Sequence, residues 1–332
     1  MGKNLVVGGT GYIGQELCRQ LAEAGEEVFN FGRSQPADPA TGDWLKGDIT
    51  DCESIDRTLA GRRFDVIHHL ASLPGDTGDP EQMMQVNMMG LLNMLLYARD
   101  SEAGRFVLSS SCSAYEWYPA TKFNPPDYMP VDEAHPTRPK DMYAATKRMQ
   151  EILALTFWHQ YGVPITMLRI TAVIGPRGRG GGRSWRAFAE QLAEGRRVEI
   201  PHFSMDELNH YVDVRDVARM HIVAGSHPNA VGEVFNCCGP APTRGAEFAE
   251  IMQRIVPGIA VETGYPWSMA QGGEIEFSMA KARELLDFEP CYTLEASIRR
   301  IKEWIDAGGL DEGVAASDSI FGGGVGEGPA QE

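Results

Sequence analysis

Apolar residues fall along the first half of this chain in two alternating textures: short unbroken runs, and longer stretches with a three-to-four-residue beat. The run NLVVGG (4–9) predicts a buried strand that ends in glycine. Gln15 to Ala24 carries Leu17 and Leu21 on one face with Gly25 behind it, which predicts a helix and its stop. EVFNF (27–31) predicts a second strand. TDCE (50–53) has capping-box spacing and predicts a short helix ending near Gly61. FDVIHHLA (64–71) reads as a strand, and Pro80 opens a methionine-rich helix running to about Arg99. RFVLSSS (105–111) is a strand, Met142 to about His159 an amphipathic helix, and PITMLRITAVIG (164–175) one further strand. Repeated strand–helix–strand units imply an α/β fold: a doubly wound parallel sheet with helices on both faces.

The texture changes after Pro176. RGRGGGR (177–183) reads as a loop, and mixed short helices and strands follow. Three parts are expected: a nucleotide-binding unit over 1–175, a smaller mixed α/β substrate lobe over 176–308, and a glycine-rich, acidic, disordered tail over 309–332.

Composition narrows the partners. The chain has 332 residues, 43% apolar and 23% charged, as soluble globular proteins do. Its formal charge of −16 argues against nucleic acid and anionic membrane as partners, because both carry phosphates it would repel. No signal peptide and no run approaching eighteen apolar residues is visible, so a cytoplasmic location is expected. The six cysteines show no metal-type spacing and read as reduced thiols, with Cys237 and Cys238 as small core residues. His135, His202 and His210 stand apart, and no metal is expected.

Candidate chemistry starts at VVGGTGYIGQEL (6–17). Gly8, Gly11 and Gly14 sit where the first strand turns into the first helix. The backbone there must turn sharply and approach a diphosphate, which the helix N-terminus then attracts. At the end of the second strand, NFGRS (30–34) lacks the carboxylate that would bind the adenine ribose hydroxyls of NAD. Arg33 stands where it can meet a 2′-phosphate, with Gly32 leaving room. This leans to NADP over NAD; the alternative is a surface arginine stacked on adenine beside NAD.

Two pentapeptides, YPATK (118–122) and YAATK (143–147), each put a lysine four places after a tyrosine. A free phenol titrates near pH 10, and an ammonium one helical turn away stabilises its anion for acid–base work. Prolines at 125 and 126 stop any helix begun at Pro119, whereas Tyr143 opens about four helical turns. YPATK is therefore assigned to a loop lining the substrate pocket, and YAATK to catalysis.

Taken together, GGTGYIG (8–14), Asp48–Ile49, HLA (69–71), VNMMGLLNML (86–95), SSS (109–111), YAATK, LRITAVIGP (168–176), YVDVRDVA (211–218) and EVFNCCGP (233–240) resemble the extended short-chain dehydrogenase/reductase family, and within it the NAD-dependent epimerase/dehydratase group. The resemblance spans about residues 3–305 and implies a Rossmann-type sheet with a C-terminal substrate lobe. It implies Ser111, Tyr143 and Lys147 as the catalytic trio. It implies cofactor contacts from Gly8, Gly11, Tyr12, Ile13, Gly14, Arg33, Asp48, Ile49, Leu70, Ala71, Ser109, Tyr143, Lys147 and Ile170, with Lys147 also reaching the nicotinamide ribose and Asn87 bracing the helix behind the site. A homodimer through the helices carrying Met83–Met94 and Met149–Phe157 is also implied.

Departures from the family's pattern bear on the substrate. Cys112 and Ser113 stand where sugar 4,6-dehydratases carry an acid pair, which disfavours dehydration. Ala172 and Asn209 stand where nucleotide-sugar epimerases carry asparagine and arginine. Arg177, Arg179, Arg183 and Arg186 could clamp a diphosphate or carboxylate, or be solvated. Candidate substrate residues are Ser72, Cys112, Ser113, Ala172, Arg177, Arg179 and Asn209. The leading expectation is a nucleotide-sugar epimerase acting on a small-molecule substrate. The alternatives are a net NAD(P)-dependent dehydrogenase or reductase of a smaller polyol, sugar or ketone, and a non-catalytic NADP-sensing protein.

Overall fold

The structure, a computed structural model, describes residues 2–36, 38, 41–73, 79–115, 124–176, 183–264 and 272–311. In chain order the first unit holds β1 (Lys3–Val7), α1 (Tyr12–Glu23), β2 (Glu27–Gly32), β3 (Asp43–Lys46), α2 (Cys52–Leu59), β4 (Val66–His69), α3 (Pro80–Met83), a π-helical stretch (Met84–Met89), α4 (Gly90–Asp100), β5 (Phe106–Ser111), α5 (Met142–Tyr161), β6 (Ile165–Ile170) and β7 (Ala172–Ile174). There follow α6 (Arg183–Glu194), β8 (Arg197–Glu199), β9 (Leu208–Asn209), β10 (Tyr211–Asp213), α7 (Val214–Ser226), β11 (Val234–Cys237), β12 (Thr243–Arg244), α8 (Gly245–Ile255), β13 (Ala260–Glu262), α9 (Ala280–Leu286) and α10 (Leu294–Asp306).

Seven parallel strands form the central sheet in the order β11-β6-β5-β4-β1-β2-β3. Alternation along β1 shows how the chain covers both faces. Leu5 and Val7 enter the cluster under α4 and α5, while Val6 enters the cluster under α1 and α7. The order reverses between β1 and β4, and a crevice opens there at the strands' carboxyl ends.

Several sequence expectations shift. The cap of α2 is Asp51, whose side chain accepts from the Ser54 amide, so the Thr50–Glu53 box does not form. The single strand expected over 164–175 is two: β6 pairs with β11, and β7 pairs with β10, with Thr171 between them. Asp43–Lys46, too short and too polar to stand out, supplies the edge strand β3. Within 176–308, α7 and β11 pack onto the large sheet, and the remainder builds the smaller layer. That remainder packs Trp185, Phe188 and Phe248 into its own core with Ile298. Of the expected tail, Gly309–Asp311 form a 3₁₀ turn, and the rest lies outside the described residues.

Candidate active site

The turn after β1 depends on what glycine lacks. Gly8 adopts φ +87°, in the left-handed region where side chains are strained. A Cβ on Gly14 would lie 2.4 Å from the Gly8 carbonyl oxygen, so α1 could not seat on the loop. Gly11 is the N-cap of α1 and offers no side chain to it. By contrast, Asp51, Asp141, Asp213 and Thr293 cap α2, α5, α7 and α10 with their own oxygens. The first N–H groups of α1, those of Tyr12 and Ile13, therefore have no acceptor among the described residues, and the positive helix end lies at the carboxyl end of β1. That set of donors fits a dinucleotide diphosphate. The Tyr12 side chain turns inward. Its buried hydroxyl has no partner among the described residues, and burial, reinforced by Asp213 and Glu16, pushes the phenol well above its usual range. Tyr12 thus has only its backbone to give a cofactor.

The adenosine end is open. Arg33 is exposed and makes no ion pair among the described residues, and nothing lies within 4 Å of where a Cβ on Gly32 would point. Asp48 is fixed by the Thr50 amide and hydroxyl, both donating to its Oδ1 at 2.9 and 2.8 Å. Ile49 is buried against Gly90, whose Cβ would lie 2.5 Å from Ile49 Cδ1. After β4, the Leu70 amide donates to the Val7 carbonyl, and a Cβ on Gly8 would sit 2.9 Å from the Ala71 nitrogen. The two loops therefore meet across the crevice. Ser72 follows on the same loop and is half-buried.

Tyr143 and Lys147 lie one turn apart near the start of α5, as the pattern predicts. The Tyr143 phenol stands beside Ser111, the last residue of β5, whose hydroxyl would stabilise the phenol's anion. Lys147 is 3% exposed, and its Nζ donates to the Ser109 carbonyl oxygen at 3.0 Å and lies 5.7 Å from the Tyr143 ring centroid. Burial pushes the Tyr143 phenol up to about 12 and pulls the Lys147 ammonium down to about 8. His69, also buried near Lys147, is driven to about 3 and stays neutral beside it. Ser109 Oγ bonds His221 Nε2 at 2.8 Å, so the serine presents its carbonyl, not its hydroxyl, to the lysine.

Asn87 occupies the π-helical stretch and is fully buried. Its side chain accepts from the Leu73 amide at 2.7 Å and donates to Thr146 Oγ1 at 3.0 Å, while Gln150 Nε2 donates to its carbonyl at 2.6 Å. It ties the loop after β4 to the turn of α5 that carries Lys147. Thr146 and Gln150 were not singled out from the sequence, because side chains of their type on a helix carry no pattern of their own.

On the substrate side, Cys112 and Ser113 are buried in a 3₁₀ turn directly after β5. Ser111 Oγ donates to Ser113 Oγ at 3.1 Å and accepts from the Ser113 amide at 3.1 Å. Burial raises the Cys112 thiol to about 12, so it is no acid at neutral pH. Ile170 ends β6, and Ala172 pairs with Tyr211 across β7 and β10. Asn209, a candidate substrate residue, lies in β9, and its Oδ1 has no partner among the described residues. It is 0% exposed and bonds the carboxylate of Glu207, which also accepts from the Gly272 amide at 2.8 Å. Arg186 is in α6 and paired with Glu190. Arg177, Arg179, Tyr118 and Lys122 lie outside the described residues. No group of three potential metal ligands occurs among the described residues, and no helix among them is long and apolar enough to cross a membrane.

A glycine turn without a cap, a serine at a strand end and a Tyr–Lys helix pair now share one crevice. The model of the NAD dependent epimerase/dehydratase family matches residues 4–238. The chain belongs to that family. It is an enzyme of the extended short-chain dehydrogenase/reductase type. It is similar to a UDP-glucose 4-epimerase of Rhizobium leguminosarum bv. trifolii, 28% identical over 328 residues, with 90% of this chain and 96% of the relative covered. Among solved structures, an epimerase from Methanothermobacter thermautotrophicus superposes with a TM-score of 0.79 at 25% identity, covering 92% of this chain and 93% of that one. The UDP-glucose 4-epimerase of Thermus thermophilus, solved in complex with NAD, has the same fold: TM-score 0.75, 23% identity, 92% and 99% covered.

Proposed function

We propose that the protein is an NAD(P)-dependent epimerase that inverts a secondary alcohol carbon of a nucleotide sugar. The observation that carries this reading is Lys147 Nζ, buried, 5.7 Å from the Tyr143 ring and held by the Ser109 carbonyl of β5, at the carboxyl end of the sheet where α1 starts uncapped. Relatives named as UDP-glucose 4-epimerases support the reaction class.

When bound, a nicotinamide cofactor, its diphosphate held by the loop after β1 and the start of α1, would supply the hydride acceptor and donor for the carbinol carbon. The protein handles the proton. Ser111 holds the substrate oxygen, and Tyr143 takes the hydroxyl proton and later gives it back. With its phenol near 12, Tyr143 alone stays protonated at neutral pH. Its anion forms only where positive charge is added, and Lys147 Nζ is the protein's contribution. Tying the base to an added cation restrains proton loss until the site is loaded. The adenine-ribose end supports a lean to NADP over NAD, since Gly32 ends β2 without a carboxylate and Arg33 is exposed with no ion pair among the described residues.

One observation favours a second reading, net oxidation or reduction of a smaller carbohydrate-like substrate. Asn209 is consumed inside the lobe. Apart from Arg196, each arginine and lysine of the lobe with a described side chain is already ion-paired. A diphosphate would have to rely on Arg196 or on Arg177, Arg179 and Arg183, whose side chains lie outside the described residues. The α3–α4 and α5 faces expose Met84, Met89, Ile152 and Tyr161, which supports a homodimer through these helices.

The test is to incubate the purified protein with UDP-, GDP- and dTDP-sugars, with and without NAD and NADP, and separate the epimers by chromatography. Interconversion without net change at 340 nm is expected. No interconverting pair, with stoichiometric reduction of added cofactor by a smaller sugar, would replace this reading with the second.

A further inference from the structure

Tyr143, Lys147 and Glu151 recur every fourth residue along α5 and so form one stripe. Each meets one of three consecutive serines of β5. Tyr143 stands beside Ser111, Lys147 Nζ donates to the Ser109 carbonyl, and Ser110 Oγ donates to Glu151 Oε1 at 2.7 Å. The first two rungs belong to the proposed chemistry; the third is an ionised carboxylate at 1% exposure that the chemistry does not use.

Glu151 is heavily held. Arg169 of β6 grips it with two bonds, Nε to Oε1 and Nη2 to Oε2, both 2.9 Å, and Arg148 Nη1 donates to Oε2 at 3.0 Å. Arg169 itself is 3% exposed, lies 4.7 Å over the Tyr115 ring and donates to the Glu133 carbonyl at 3.1 Å. Removing two charges from water is costly, and a pair like this is not needed for stability alone, since apolar replacements often serve as well. Its placement one turn from Lys147 calls for a use.

We propose that Glu151, clamped by Arg169 and Ser110, is a positioning residue that serves as the buried counter-charge of the Lys147 ammonium and so acts on Tyr143 through the lysine. The proposal rests on the reading of Tyr143 and Lys147 as the acid–base pair. Burial would raise the Glu151 carboxyl, but its bond to Arg169 keeps it below the ordinary range, so it is an anion at neutral pH. Glu151 is the group that lifts the Lys147 ammonium against its burial. The other titratable groups around this stripe leave it that part. His69 on β4 and His221 on α7 are buried and neutral, with ordinary values lowered to about 3. Arg148 and Arg169 are committed to Glu151, and Glu133 faces Arg169 and the Asn236 amide.

The test titrates the lysine directly and needs no substrate. Protein labelled with ¹³C at lysine Cε is followed by NMR against pH; with seven lysines in the chain, Lys147→Met identifies the signal. Glu151→Gln is expected to lower the Lys147 midpoint by about one pH unit, and Ser110→Ala to lower it by less. A purely structural Glu151 would lower the melting temperature and leave the midpoint where it was, which overturns the proposal. If Glu151→Gln does not fold, Ser110→Ala decides, because an unmoved midpoint there also overturns it. Failure of the acid–base reading would show separately, as an active Tyr143→Phe enzyme with the Lys147 midpoint still coupled to Glu151.

Discussion

The start of α1 and the Asn209 region of the lobe answer one problem, buried or crowded polar groups, in opposite ways. At α1 the chain withholds partners. Gly11 cannot cap, and the Tyr12 side chain is turned inward. Around Asn209 the chain supplies most partners itself: the Glu207 carboxylate accepts from the Asn209 side-chain nitrogen and from the Gly272 and Phe203 amides, and Asn209 Oδ1 and His202 Nε2 are left without a partner among the described residues. The difference teaches that a ligand site is marked by polar groups left unpaired at an open edge, more than by polar residues as such. A buried amide that already has its carboxylate is part of the fold.

The largest effect that would break this contrast comes from the crevice side. Lys147→Met is expected to cut turnover by about 10²–10⁴-fold, measured on whichever epimer pair the sugar panel yields. The same variant tests the buried ammonium by stability. The folded lysine loses its proton near 8, below the unfolded value of about 10.4. Between those values the unfolded chain binds the extra proton, so wild-type stability should rise with pH relative to the variant. The gain is at most about 3 kcal/mol, read from urea denaturation at pH 7.5 and 10. A constant difference would mean that Lys147 is not held as described.

Next in size is Gly14→Ala. Its Cβ meets the Gly8 carbonyl at 2.4 Å, so about 1–3 kcal/mol of stability and most dinucleotide affinity should be lost. Calorimetry with NAD and NADP reads it, and intact binding would remove the loop from the site. Arg33→Ala should weaken NADP about tenfold or more while leaving NAD nearly unchanged, the loss of one charge-assisted contact. Equal effects on both cofactors would reduce Arg33 to an adenine support. Smallest in function is Asn209→Ala, expected to cost about 1–3 kcal/mol of stability through an under-bonded Glu207 with KM unchanged. A large KM change at unaltered stability would return Asn209 to the substrate pocket and erase the contrast.

The sheet and crevice were legible because they rest on local signals. Glycine at a forced turn, alternation along β1 and a proline-free helix behind Tyr143 each have one physical solution. The contacts across the sheet were less so. Arg169 and Glu151 are 18 residues apart, and nothing local says that β6 and α5 bring them to 2.9 Å. The i, i+4, i+8 stripe of Tyr143, Lys147 and Glu151 was present in the letters, but its third member matters only once Ser110 stands opposite it. The return of β11 to the sheet was hidden for the same reason, since a short apolar run does not name the strand it will pair with.

In the proposed reaction Tyr143 moves the proton, while the dinucleotide is held chiefly by the loops after β1 and β4. The direct measurement compares Tyr143→Phe with wild type, recording epimer interconversion and cofactor affinity on the same preparations. The account predicts turnover lowered about a thousandfold with affinity little changed. Undiminished interconversion by Tyr143→Phe would contradict it.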